Sequence, residues 1–268
     1  MRQYIKFFRN LIKRNRVISD RLGLRYYFSS TDALTLHIAK NGIYGEYQEI
    51  EALLSEFDIS TGVAIDVGAN VGLMSLPLAL KFKQVYSFEP DPDNAAVFKK
   101  NSDLNQLKNI TLCQEGVADQ SGSLELSINR SIDGDGMINT GISSLHSKNR
   151  VNSKRVVSVP VTTLDEFIEK NSVGGLSLIK IDTEGYDHLV LKGARKTLAK
   201  FKPAVFYEYS NTLDQRTGSS GREASLLLLE ELGYRHFRLN QGVVSSISKE
   251  QAANLSMDVN LFAIYQAE

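Results

Sequence analysis

Along most of the chain, short apolar runs alternate with longer stretches of helical period. Runs at 63–67, 84–88, 109–113, 176–182, 203–209 and 234–239 have the length and the β-branched and aromatic content of buried strands. Between them, 71–81, 93–104, 163–170, 187–200 and 222–232 repeat apolar positions every three or four residues and predict helices. Strand–helix alternation implies an α/β fold with a mostly parallel sheet, right-handed crossovers and helices on both faces. Asp258 to Tyr265 reads as a final strand, expected to be antiparallel.

The rhythm changes between Gly116 and Thr163. Gly122–Ile128 and Arg155–Val161 alternate polar and apolar residues like half-exposed strands, with a polar Gly/Asn/Ser stretch, 129–154, between them. A loop that long inside a compact domain is usually a lid or binding loop, here expected on the substrate side. Residues 1–60 read as an extension preceding a domain at 61–268. Tyr4 to Arg16 has an amphipathic period, with Tyr4, Phe7, Phe8 and Leu11 opposite Arg2, Lys6, Arg9 and Lys13. Such a helix suits contact with an anionic membrane surface, or packing on its own domain or a second copy of the chain. Residues 46–60 suggest a further helix over one edge of the sheet.

The first candidate site is Val63-Ala-Ile-Asp-Val-Gly-Ala-Asn-Val-Gly72. It joins a strand to a helix through a glycine turn, where nucleotide-like ligands bind in α/β sheets. Gly68 and Gly72 let the backbone turn sharply, and Ala69 and Asn70 lie between them. The spacing lacks the third glycine of a dinucleotide fingerprint, and Asp66 would repel a phosphate. A ligand without pyrophosphate, such as S-adenosylmethionine, fits better. Glu89, at the end of Gln84–Phe88, follows the loop by about 20 residues, where an acid accepts hydrogen bonds from ribose hydroxyls.

A second constellation, Leu178-Ile-Lys-Ile-Asp-Thr-Glu-Gly-Tyr-Asp187, should reach the same rim. Lys180 and Asp182 share one strand face, Glu184 lies just beyond, and Glu208 ends the neighbouring strand. Crowded carboxylates raise one another's pKa, as a general base requires, or else hold a divalent cation. Asp187 is also placed to be only the first-turn acid of a helix. Of the histidines, His146 in the long loop and His188 beside the rim are the candidates to approach a substrate. His37 and His236 read as structural or exposed. No Cys/His cluster suggests zinc, and no Ser-His-Asp or G-x-S-x-G pattern suggests a hydrolase.

The 268 residues carry zero formal net charge and 42% hydrophobic residues, enough for a sizeable core. Charge is uneven: eight Lys or Arg against Asp20 give residues 1–28 a charge of +7, leaving −7 for the rest. That body is not a nucleic-acid surface. A lone cysteine, Cys113, fits a reducing compartment. The charged start leads into no apolar run of a signal peptide, and no stretch approaches a spanning helix. A cytoplasmic location is expected, with the basic helix free to touch a membrane.

These motifs together resemble the FkbM-type methyltransferase family over about residues 60–210. The likeness is carried by Ile65–Gly72, Phe88-Glu-Pro90, Gly116-Val-Ala-Asp-Gln-Ser-Gly-Ser-Leu124, Gly141–Leu145, Val159–Asp165, Ile179–Gly185 and Lys192-Gly-Ala194, in that order. The resemblance implies a seven-stranded, Rossmann-like class I fold and methyl transfer from S-adenosylmethionine to oxygen of a sugar, glycan, polyketide or similar small acceptor. It makes Asp66, Gly68, Asn70, Gly72 and Glu89 cofactor residues and puts Gly116 and Val117 near the adenine. Where the family often has Glu-Gly-Ala-Glu, this chain has Glu184-Gly-Tyr-Asp187, an acid one methylene shorter. Two other readings compete: a nicotinamide-dependent oxidoreductase, weakened by the glycine spacing, and a non-catalytic cofactor-binding adapter. In the transferase reading Asp182 or Glu184 takes the hydroxyl proton.

Overall fold

The computed structural model describes residues 17–27, 38, 41–132, 138–139, 141–149 and 155–266. The amphipathic segment Tyr4 to Arg16 and much of the 129–154 loop lie outside those residues. β1 (Val17–Ser19) and β2 (Arg25–Tyr27) form an antiparallel hairpin, so the described start of the extension is not helical. It docks on the body through Arg25 and Tyr27, whose backbone N–H groups donate to Asn105 Oδ1 and Asn101 Oδ1. Helix α1 (Gly45–Glu56) follows and packs on one face of the sheet toward one of its edges. There Ile50 and Leu53 join Leu178, Phe206 and Phe262 in one apolar cluster.

The wound part begins with β3 (Val63–Val67), α2 (Ser75–Ala79), β4 (Gln84–Phe88), α3 (Pro92–Asn105) and β5 (Ile110–Cys113). After the intervening strands β6 (Gly116–Val117), β7 (Gly122–Ile128), β8 (Ser131–Ile132), β9 (Ile138–Asn139) and β10 (Arg155–Thr162), it resumes. The second half is α4 (Leu164–Lys170), β11 (Leu176–Ile181), α5 (Asp187–Lys192), α6 (Arg195–Phe201) and β12 (Ala204–Tyr209). It closes with α7 (Asn211–Thr217), α8 (Gly221–Glu231), β13 (Tyr234–Asn240), β14 (Val243–Ser246), α9 (Lys249–Ala253) and β15 (Val259–Tyr265).

The main sheet has the order β14-β13-β15-β12-β11-β3-β4-β5. Its pairs from β5 to β12 are parallel, and β15 runs antiparallel to both β12 and β13. Central strands are covered on both faces, which is why β11 is buried at every residue and reads as an unbroken run. β7 and β10 pair antiparallel along their length in a separate three-stranded sheet with β6. Their outer faces are solvated, hence the alternation.

Three departures from the sequence reading have local causes. An eighth strand, β14, is added at the edge by a tight turn in which Gln241 and Gly242 both have positive φ. Helix α2 starts late because residues 71–74 belong to the glycine turn, where Gly72 N donates to Ala69 O. The single helix expected over 187–200 is broken at Gly193, which approaches Ala118 O too closely for any Cβ. The restarted α6 is capped from α4: Asp165 Oδ1 and Oδ2 accept the N–H groups of Thr197 (2.7 Å) and Lys196 (3.1 Å). Among the described residues, no helix is long and apolar enough to cross a membrane.

Candidate active site

The C-terminal ends of β3, β4, β11 and β12 open into a cavity of about 220 Å³. Its floor on one side is the Gly68–Gly72 turn, folded back on β4 by N–H groups of Gly68 and Ala69 that donate to Phe88 O at 3.0 and 2.9 Å. Gly68 has φ +79°, and a Cβ there would collide with the carbonyl oxygen of Asp182. The turn is held from behind by Asn101 of α3, whose Nδ2 donates to Val71 O at 2.8 Å.

Glu89 faces this turn. Its Oε2 accepts the Asn70 N–H at 2.7 Å and its Oε1 accepts the Asp91 N–H at 2.8 Å. Burial is the largest influence on Glu89 and pushes its pKa up to about 8, with Asp91 adding repulsion against the opposing pull of the two N–H groups and Lys180. Asn70, on the cavity wall with φ +49°, has its Oδ1 buried without a hydrogen-bond partner.

Beneath the turn lies a buried charge network. Asp66 is fully buried on β3; its Oδ2 accepts the Ser75 hydroxyl at 2.5 Å, and Ser75 Oγ accepts that of Ser87 at 2.8 Å. Lys180 on the adjacent strand sends Nζ to Asp66 Oδ1 (3.3 Å), Gly68 O (3.2 Å) and Asp182 Oδ2 (3.5 Å). Burial alone would lower the Lys180 pKa, but Asp66, Asp182 and Glu46 outweigh it and hold the ammonium charged.

Carboxylates gather past the ends of β11 and β12. Asp182, about one third exposed, lines the cavity with Glu184, Glu208 and Glu46. Burial first, then Asp182 and Asp187, raises the Glu184 pKa; burial and the same neighbours raise that of Glu208. Glu46, from the first turn of α1, is raised by burial and Asp182 and accepts the Tyr44 hydroxyl at 2.9 Å. Within the described segment 141–149, two side chains reach the backbone of Glu184. Ser144 Oγ and Asn149 Nδ2 each donate to Glu184 O at 2.9 Å, fixing a residue with φ +54°. On the other flank, Arg130 Nη2 and Ser143 Oγ both donate to Asp91 Oδ2, at 2.8 and 3.0 Å.

Of the residues singled out in the sequence, Gly68, Ala69, Asn70, Glu89, Gly116, Val117, Lys180, Asp182, Glu184 and Glu208 line the cavity. Asp66 lies under the turn and Gly72 closes it, and neither lines the cavity. Asp187 is also off the wall: 6% exposed, it accepts the Thr183 hydroxyl on Oδ2, and burial pushes its pKa up to about 6. His146, expected on the substrate side, does not line the cavity either. Its Nδ1 accepts the Lys148 N–H within its own turn, while Ser143 and Leu145 face inward. Tyr44, Glu46 and Asn260 line the cavity and were not anticipated. Among the described residues, no three His, Cys, Asp or Glu side chains are arranged to hold a metal ion.

The chain is similar to the hexuronic acid methyltransferase AglP of Haloferax volcanii, 28% identical over 154 residues that cover 58% of each protein. It is also similar to the 2-O-methyltransferase NoeI of Sinorhizobium fredii, 28% identical over 174 residues, 62% of this chain and 69% of that protein. The match thus spans less than two thirds of AglP. A crystal structure of methyltransferase FkbM from Methylobacillus flagellatus covers 76% of this chain, with 43% of its own length matched, at 19% identity and a TM-score of 0.45. The family described as methyltransferase FkbM domain matches residues 66–236, well over half of the sequence, and the chain belongs to that family.

Proposed function

We propose that this chain transfers a methyl group from S-adenosylmethionine to a hydroxyl oxygen of a sugar, glycan or similar small polar acceptor. The observation that carries the proposal is one cavity lined together by a glycine turn, Glu89 and a carboxylate cluster. The residues present fit the cofactor. Asn70 Oδ1 is a buried acceptor without a partner, and the absent Cβ of Gly68 lets the turn pass directly against the Asp182 carbonyl. Gly68, Ala69 and Asn70 would hold the amino-acid end, Glu89 the ribose hydroxyls, and Gly116 with Val117 the adenine. When bound, the cofactor supplies an electrophilic methyl on a sulfonium that is already a good leaving group.

The protein's remaining work is alignment and proton removal. Asp182 Oδ2 is turned to Lys180, which leaves Oδ1 free to accept the hydroxyl proton of the acceptor. Glu184, its pKa raised mainly by burial, stays protonated near neutral pH and donates a hydrogen bond to the acceptor instead. The 141–149 segment is tied to Glu184 through Ser144 and Asn149 and to Asp91 through Ser143.

S-adenosylhomocysteine tests this reading. At a hundredfold excess over its dissociation constant it should stabilise the protein by about 2.7 kcal/mol, read as a raised melting temperature. NADH should do nothing. A shift with NADH and none with S-adenosylhomocysteine overturns the proposal.

A further inference from the structure

A small recess of about 20 Å³ between α5 and α8 shares one wall residue, Glu208, with the acceptor cavity. Three buried polar atoms without a hydrogen-bond partner belong to its walls: Asp187 Oδ1, His188 Nδ1 and Arg222 Nη1. The other atoms of these groups are committed. Asp187, only 6% exposed, takes the Thr183 hydroxyl on Oδ2. Arg222 Nε faces Asp214 Oδ2 at 3.6 Å, and the guanidinium lies over the Tyr209 ring. Nearby hydroxyls are also used: Ser210 accepts the Leu213 N–H and Ser225 donates to Gly221 O. Gly221 leaves the space beside His188 Nδ1 open, since a Cβ there would stand 2.8 Å from that nitrogen. Buried polar atoms are normally hydrogen-bonded, so three on one recess point to a ligand.

The three atoms select its chemistry. A cation is opposed by the Arg222 guanidinium, and among the described residues the acids are not arranged as metal ligands. An anion is opposed by Asp187 and Asp214. Burial first, then His146, lowers the His188 pKa, so its ring is neutral near pH 7 and Nδ1 can accept. What fits is a neutral group that donates to Asp187 Oδ1 and His188 Nδ1 and accepts from Arg222 Nη1. The volume takes a single oxygen, because a water needs about 10–15 Å³ measured in this way. We infer that the recess binds one hydroxyl oxygen, which bridges Asp187 and His188 on α5 to Arg222 on α8. Water supplies both donated hydrogens at once. A sugar hydroxyl reaching past Glu208 supplies one, with a vicinal hydroxyl for His188; this second source rests on the methyl-transfer reading.

Crystals of the full chain, grown with and without glucose at a resolution that shows waters, test the inference. Both should hold one oxygen within about 3.2 Å of Asp187 Oδ1 and Arg222 Nη1. An oxygen that glucose leaves in place identifies water as the source, and its replacement by a glucose hydroxyl identifies the sugar. A metal ion, chloride or sulfate at that point overturns the inference, as does direct pairing of Asp187 with Arg222 or a recess without density. In solution, ¹⁵N spectra of the wild-type chain should show His188 neutral near pH 7 with its proton on Nε2. A proton on Nδ1 also overturns the inference, because that nitrogen could not then accept. The thermal response to S-adenosylhomocysteine is read separately. Its loss overturns the methyl-transfer reading and with it the sugar source, while the water source stands.

Discussion

Asp66 Oδ1 lies 3.3 Å from Lys180 Nζ, and both side chains are buried beneath the glycine turn. Each charge is expensive there without the other. Removing one member of a buried pair typically costs about 3–5 kcal/mol, because the survivor is left uncompensated. Lys180→Met should therefore destabilise by that amount in denaturant titrations. Asp66→Asn should cost less, since Lys180 keeps Asp182 as a partner. The double variant should recover part of the Lys180→Met loss, and strict additivity would show that the pair does not couple.

Gly68 and Gly23 have nearly the same backbone angle, φ +79° and +81°, but different surroundings. A Cβ at Gly23 meets nothing within 4 Å, whereas at Gly68 it runs into the Asp182 carbonyl. Gly23→Ala should thus cost only the left-handed conformation, about 1–2 kcal/mol. Gly68→Ala should cost more and also abolish S-adenosylhomocysteine binding, because the turn must move. Similar melting temperatures and intact binding in both variants would mean that the close approach is unimportant.

The residues that follow strand ends, from Gly68 and Glu89 to Asp182, Glu184 and Glu208, were legible, and those that packing brings in from elsewhere were not. β3 and β4 were readable because buried central strands leave continuous apolar runs. Gly68 and Glu89 follow directly from their ends. Glu46 gives no such signal: it is an ordinary first-turn acid of α1 until tertiary packing brings it beside Asp182. Asn260 likewise reaches the rim only because β15 inserts next to β12. β14 was invisible because Val243-Val-Ser-Ser has no buried face. His146 looked promising from its neighbours, yet the local turn that satisfies its ring keeps it off the wall.

Asp182 and Glu184 sit past β11, away from the Asn70–Glu89 contact. Asp182→Asn should leave S-adenosylhomocysteine affinity nearly unchanged. It should slow single-turnover methyl transfer by ~10²–10⁴-fold, as loss of a general base does. Glu184→Gln preserves the hydrogen-bond donor and should slow it far less. The reverse order would exchange their roles.

Glu89 makes stability depend on pH in a direction opposite to most surface acids. Its pKa is raised from 4.5 to about 8, chiefly by burial, so the folded chain holds this proton more tightly than the unfolded chain does. Below about pH 4.5 both states are protonated and the residue contributes no slope. As pH rises from there toward 8, the unfolded chain releases the proton first, and the unfolding free energy falls. Glu89→Gln removes the titrating group while keeping its size. The stability of wild type relative to Glu89→Gln should accordingly decline between pH 5 and pH 8, by on the order of 2 kcal/mol, in guanidinium titrations. Ligand binding should reverse the trend, because ribose hydroxyls donating to Glu89 favour its charged form. Saturation with S-adenosylhomocysteine should flatten the decline and release protons, seen by calorimetry as a dependence on buffer ionisation enthalpy. A relative stability that stays level or rises over this range would show that the N–H groups of Asn70 and Asp91 already hold Glu89 ionised.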